Sequence, residues 1–279
     1  MQSVDSLSLA DAVTDWLANS RHPRILHVFD RACNLINEHR EVLSIVTPQI
    51  GNGPFNLVLE DDICFSDHLN LESPISISPA QIALGDLTLH TTDAKSWNPH
   101  PDWGMLHDRR DEVLTQITQL PTLAPGAGVT NYQFSDSLIS SLCSALANAD
   151  ISFAKTITSK LSGLGPGLTP SGDDIIMGAI YAAWIIHPAE VADVLAHEIA
   201  NTAAPLTTSL SAAWLRSAGK GEAGILWHEF FNALISGNPA ILRLQMTKLL
   251  SIGHTSGADA LAGFIGTFMR RIKPQFATP

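Results

Sequence analysis

The chain has 279 residues, 45% of them hydrophobic and only 15% charged, with 27 acidic against 16 basic side chains and a formal net charge of −11 at pH 7. That balance excludes a disordered chain, and the length suffices for one large domain or two small ones with a sizeable core. It also argues against a nucleic-acid partner, because the basic residues form no run longer than pairs such as Arg109-Arg110 and Arg270-Arg271.

In chain order, Ser6 to Asn19 reads as a short helix. From about residue 24 to 97 the texture is β-like: β-branched and aromatic runs are broken by Gly51-Asn52-Gly53-Pro54 and by Gly85-Asp86, both of which read as turns. This region predicts an antiparallel sheet or small barrel. The segment WNPHPDW at 97–103 reads as a connector. Beyond it, apolar residues recur at helical spacing over about 105–120, and PTLAPGAGVTNYQF at 121–134 reads as a loop. Further helices are predicted over about 135–162, 172–186, 189–218, 222–236, 239–250 and 257–272. The expected fold class is α+β, with a β-rich domain over 1–100 and a helical domain over 101–279.

Cys33, Cys64 and Cys143 are widely spaced with no CxxC, which fits reduced thiols. The N-terminal segment has aspartates where a secretory signal needs positive charge, and the apolar run Ile175–Ile186 is too short to span a bilayer. A soluble cytoplasmic protein with no membrane partner is expected.

Two stretches carry candidate chemistry. GLGPGLTPSGDD at 163–174 places glycines, Thr169, Ser171 and an Asp pair before an apolar run. GHTSGADALAG at 253–263 does the same, and Gly172-x-Asp174-x-x-x-Gly178 echoes Gly257-x-Asp259-x-x-x-Gly263. A glycine-rich loop at a helix start exposes N–H groups and the positive end of the helix dipole, which suits an anion. Gly165, Gly167, Thr169, Ser171 and Gly172 are therefore candidate anion ligands. Asp173 and Asp174 oppose a bare phosphate unless a Mg2+ ion bridges them. The plainer alternative is that Ser171 or Asp173 caps the helix. Small-residue stripes at Asp174/Gly178 and Asp259/Gly263 let two helices approach closely. If they pack with their starts together, His254, Thr255 and Ser256 join the same pocket; an antiparallel packing separates them. Thr207 and Ser211 lie one helical turn apart and either line a cavity or bond back to the helix. No GK[ST], GxSxG or HExxH pattern occurs, so Walker-loop, hydrolase-elbow and zincin readings fail.

Together, GLGPGLTPSGDD, GHTSGADALAG, NGPFNLVL at 52–59 and TTSLS at 207–211 resemble a bacterial family first described as a domain of unknown function and once labelled a carboxylase. The family is now associated with the AllH-type subunit of oxamate carbamoyltransferase. The resemblance implies a transferase acting on carbamoyl phosphate and oxamate in anaerobic allantoin (purine) breakdown, small anionic substrates, and further subunits. The resemblance carries no residue-level mechanism; from the motifs themselves Asp174, His254 and Asp259 are taken as catalytic candidates and Asn52, Thr207 and Ser211 as further substrate-binding candidates. No STRT-like phosphate motif is present, unlike in the familiar carbamoyltransferases. Two other readings stay open: a stand-alone Mg-dependent phosphate- or nucleotide-handling enzyme, and a non-catalytic scaffold subunit.

Overall fold

A computed structural model describes residues 2–78, 80–123 and 136–272. The chain divides into two compact units, Met1–Pro99 and His100–Pro279.

The first unit holds β1 (Gln2–Ala10), α1 (Asp11–Asn19), β2 (Arg24–Val28), β3 (Ala32–Ile36), β4 (Val42–Val46), β5 (Asn56–Leu59), the short α2 (Phe65–His68), β6 (Ile75–Ser78), β7 (Gln81–Leu84), β8 (Leu87–His90) and β9 (Lys95–Trp97). The strands form a nearly closed, barrel-like sheet in the order β2-β3-β4-β5-β1-β8-β7-β6, with β9 also paired to β1. Local hairpins behave as their turns dictate. Leu84 pairs with Leu87 across Gly85-Asp86, and Gly85 takes φ +55, as a two-residue hairpin turn requires.

The expected small barrel is the form that the strands take, and two details of the expectation are corrected. The sheet is mixed: β1 runs parallel to β8 and β9, and β4 runs parallel to β5. Hence Gly51–Pro54 belongs to a crossover between parallel strands and is not a hairpin turn. Residues 6–10 are strand, and the helix begins only at Asp11. The alternating Ser/Leu pattern of β1 is satisfied by three neighbouring strands, which local propensity does not reveal. Leu35, Leu43, Ile45, Leu57, Leu59, Phe65 and Ile82 fill the interior.

The second unit is helical: α3 (Trp103–Asp108), α4 (Arg110–Leu123), α5 (Asp136–Ala147), α6 (Ile151–Leu161), α7 (Ser171–Ile186), α8 (Ala189–Ala203), a 3-10 turn (Ala204–Leu206), α9 (Ser209–Gly219), α10 (Ile225–Ser236), α11 (Pro239–Leu250) and α12 (Ser256–Ile272). The predicted loop at 121–134 begins inside α4, and its remainder from 124 lies outside the described residues. The predicted single helix at 189–218 is broken by the Ala204-Pro205-Leu206 turn, because Pro205 lacks the N–H that would continue α8. Capping side chains fix several starts. Asp102 and Asp150 accept from Met105 and Phe153 N–H groups, and Asn238 accepts from Ala240 and Ile241 ahead of a helix opened by Pro239.

Helix α7 is buried on nearly every side, which its Ile-, Ala- and Gly-rich sequence permits. An aromatic cluster of Trp103, Tyr181, Trp184, Trp227, Phe230, Phe231 and Phe264 packs around it. The Tyr181 hydroxyl donates to the Glu222 carbonyl, and the Trp184 ring N–H to that of Ala218. Among the described residues no helix is long and apolar enough to cross a membrane.

Candidate functional site where two helix starts meet

The two glycine stripes pack against each other. A Cβ built on Gly178 would lie 1.8 Å from the carbonyl oxygen of Ala260, the residue after Asp259. One built on Gly263 would lie 2.0 Å from that of Ile175, the residue after Asp174. The contacts are reciprocal, so α7 and α12 are related by a local twofold. The N-terminal ends lie together, because Thr169 and Ser256 hydroxyls are bonded at 2.9 Å. The parallel arrangement is therefore the observed one.

The likeness extends to the helices before each stripe. A Cβ on Gly172 would meet Leu161 O at 2.0 Å, and one on Gly257 would meet Leu249 O at 1.8 Å. Each helix start is thus pressed onto the end of its predecessor, α6 or α11, at a glycine that tolerates no side chain.

Asp174 and Asp259 meet at this junction, each 5% exposed. Burial drives the Asp174 carboxyl up to about 8, and the negative charges of Asp259 and Asp173 push the same way. The Ser256 and Thr169 hydroxyls pull in the opposite direction by favouring the carboxylate. At neutral pH Asp174 is mostly protonated, and a neutral carboxyl does not repel an anion as a charged Asp pair would. Among the described residues, the groups that move Asp174 are carboxylates and hydroxyls, with no ammonium or guanidinium among them.

Asp173 has a different task. It accepts from the Gly163 N–H at 2.9 Å, from the Ser211 hydroxyl at 2.7 Å, and from the Thr207 hydroxyl in a short bond. Burial raises its pKa, and the Thr207, Gly163 and Ser211 bonds oppose that rise. This carboxyl ties the glycine loop to the start of α9. Thr208 reinforces the tie by donating to Leu168 O at 2.5 Å while capping α9. Neighbouring positions on a helix point about 100° apart, so Asp173 and Asp174 serve different surroundings. The expected Mg2+ ligands therefore face separate partners. Among the described residues no group of three or more His, Cys, Asp or Glu is gathered for a metal.

The remaining candidates fall as follows. The capping alternative is corrected: the residue at the N-cap of α7 is Pro170, with no side-chain cap, and its carbonyl takes the Asp173 and Asp174 N–H groups. The Gly172 N–H donates to Leu164 O, so these N–H groups of the helix start are already engaged. Gly163, Gly165 and Gly167 take φ of +72, +120 and +95, and Gly165 passes close to Ser171, which is half-buried. His254 and Thr255 are exposed in the turn before α12, where the Thr255 carbonyl accepts the Asp259 N–H. Asn52, in the first unit, accepts from the Ser8 hydroxyl at 2.7 Å. The structure thus brings together Thr169, Asp174, Ser256 and Asp259. Thr207 and Ser211 are gathered around Asp173 instead, a pairing that sequence spacing gave no means of finding.

Two family models match the chain. One, described as the AllH family N-terminal domain, covers residues 5–96, and the other, described as oxamate carbamoyltransferase subunit AllH, covers residues 161–268. No solved structure matches.

Proposed function

Because the chain belongs to the AllH family, we propose that it works as one subunit of a cytoplasmic oxamate carbamoyltransferase, with carbamoyl phosphate and oxamate in equilibrium with oxalurate and phosphate, in anaerobic allantoin breakdown. The observation that carries a catalytic rather than a scaffold role is the convergence of Thr169, Ser256, Asp174 and Asp259 at two helix starts. Simple helix packing calls for the glycines; it does not call for two buried carboxyls beside a hydroxyl pair.

In this reaction the oxamate nitrogen attacks the carbamoyl carbon, a C–N bond forms, the C–O bond to phosphate breaks, and the nitrogen loses a proton. Catalysis then consists of orienting the two reactants and stabilising charge on the departing phosphate. The hydroxyls of Thr169 and Ser256 are uncharged donors, and the neutral carboxyl of Asp174 retains an acceptor oxygen without repelling an anionic substrate in a buried place. Among the described residues the groups that move Asp174 include no cation, so in this reading the phosphate charge is met by groups away from the carboxyl pair, on this chain or on another subunit. The test is to assemble the complex and follow phosphate release. Release that depends on both oxamate and this chain, and that falls about tenfold in kcat/KM for Thr169→Ala, supports the reading; release indifferent to oxamate or to the chain contradicts it.

A further inference from the structure

Asp174 Oδ2 and Asp259 Oδ2 are both fully enclosed and have no hydrogen-bond partner among the described protein groups. Buried polar atoms are almost always paired, and leaving one unpaired costs on the order of 1–3 kcal/mol. A neutral Asp174 carboxyl keeps one accepting oxygen, and with its proton on Oδ1 the two unpartnered oxygens on the paired helices ask for something that brings hydrogen-bond donors. Phosphate and carboxylate bring acceptors and do not answer that need. A primary amide or ureido nitrogen does: it is uncharged, and its two N–H bonds diverge in a plane, so two separate acceptors can share it. In the Thr169–Ser256 pair, half-buried and therefore nearer solvent than the carboxyls, one hydroxyl donates to the other, which leaves one O–H to turn from Asp174 to an acceptor atom of such a ligand.

We infer that Asp174 and Asp259 hold the amide end of the substrate, one N–H on each unpartnered oxygen, with the carbonyl or carboxylate end toward Thr169 and Ser256. The phosphate-bearing substrate then lies outside this pair. The inference rests on the proposed reaction only in naming oxamate as the amide; the two oxygens themselves ask for any primary amide or ureido group.

Oxamate and pyruvate test it, because pyruvate keeps the shape and charge and puts a methyl group where oxamate has its nitrogen. Titration calorimetry on the assembled complex should show oxamate binding at least about a hundredfold more tightly, since a site built to accept an N–H rejects the analogue lacking it. Asp174→Ala and Asp259→Asn should each narrow that preference, and the double variant should abolish it. Equal binding of the two ligands, or a preference untouched by both substitutions, overturns the inference. So does a heat of Mg2+ or ammonium binding that the double variant loses, which would mark the pair as a cation site. Phosphate release on the same preparations separates the two ideas. Transfer with an unchanged preference in the variants sinks the amide site alone; a variant-sensitive preference without transfer sinks the carbamoyltransferase reading alone.

Discussion

Asp174 carries a proton that the unfolded chain would release, and this has a measurable sign. Its carboxyl sits near 8 in the folded chain against an ordinary 3.8. Between those values the folded state binds the extra proton, so stability is lost as pH rises, by about 1.4 kcal/mol per pH unit, and the loss levels off above the folded pKa. Asp174→Asn mimics the neutral form and removes this dependence. Urea unfolding at pH 6 and pH 8 should therefore show the wild type losing about 2 kcal/mol relative to the variant; parallel curves would mean that the carboxyl is not held neutral. Asp173 behaves otherwise, because three donors from separate segments converge on it. Asp173→Ala strands those donors and should cost about 2–4 kcal/mol, read as a lower urea midpoint. If the residue only anchors the loop, the oxamate KM of the folded fraction stays at its wild-type value.

At the level of elements, the α7–α12 crossing depends on two glycines that leave no room for a methyl group. Gly178→Ala or Gly263→Ala forces a Cβ into a facing carbonyl and should destabilise by about 2–3 kcal/mol or more. Gly167→Ala meets open space and pays only for φ +95, about 1–2 kcal/mol. Equal midpoints for all three variants in urea unfolding would contradict the close packing. The Asp-x-x-x-Gly spacing was legible in the sequence because helical period alone puts both residues on one face. Whether the two helices ran parallel was not, since either direction buries the same small-residue stripe. Helix ends marked by their own chemistry, such as Gly237 followed by Asn238-Pro239, could be read directly. The strand at 2–10 could not, because its state is set by partners β5, β8 and β9 far along the chain. The parallel β4–β5 pair escaped for a similar reason: a Gly-Asn-Gly-Pro string signals a bend and leaves open which strand follows beside which.

At the scale of the whole molecule, the chain is a mixed β unit and a helical unit, each with its own hydrophobic core, and the α+β class follows from composition that shifts near residue 100. Function was legible as a resemblance, carried by GLGPGLTPSGDD and GHTSGADALAG, and both family matches fall on the segments that hold those strings and the β unit. What the strings could not convey is the division of labour between adjacent carboxyls, with Asp173 anchoring a loop and Asp174 facing its counterpart across the helix pair. That division makes the junction a substrate site in this account. The oxamate-dependent kcat/KM of the assembled complex carrying Asp259→Asn tests it most directly. A fall of about a hundredfold is expected with the urea midpoint of the chain little changed; an unchanged kcat/KM would mean that the two helix starts only pack together and hold no substrate.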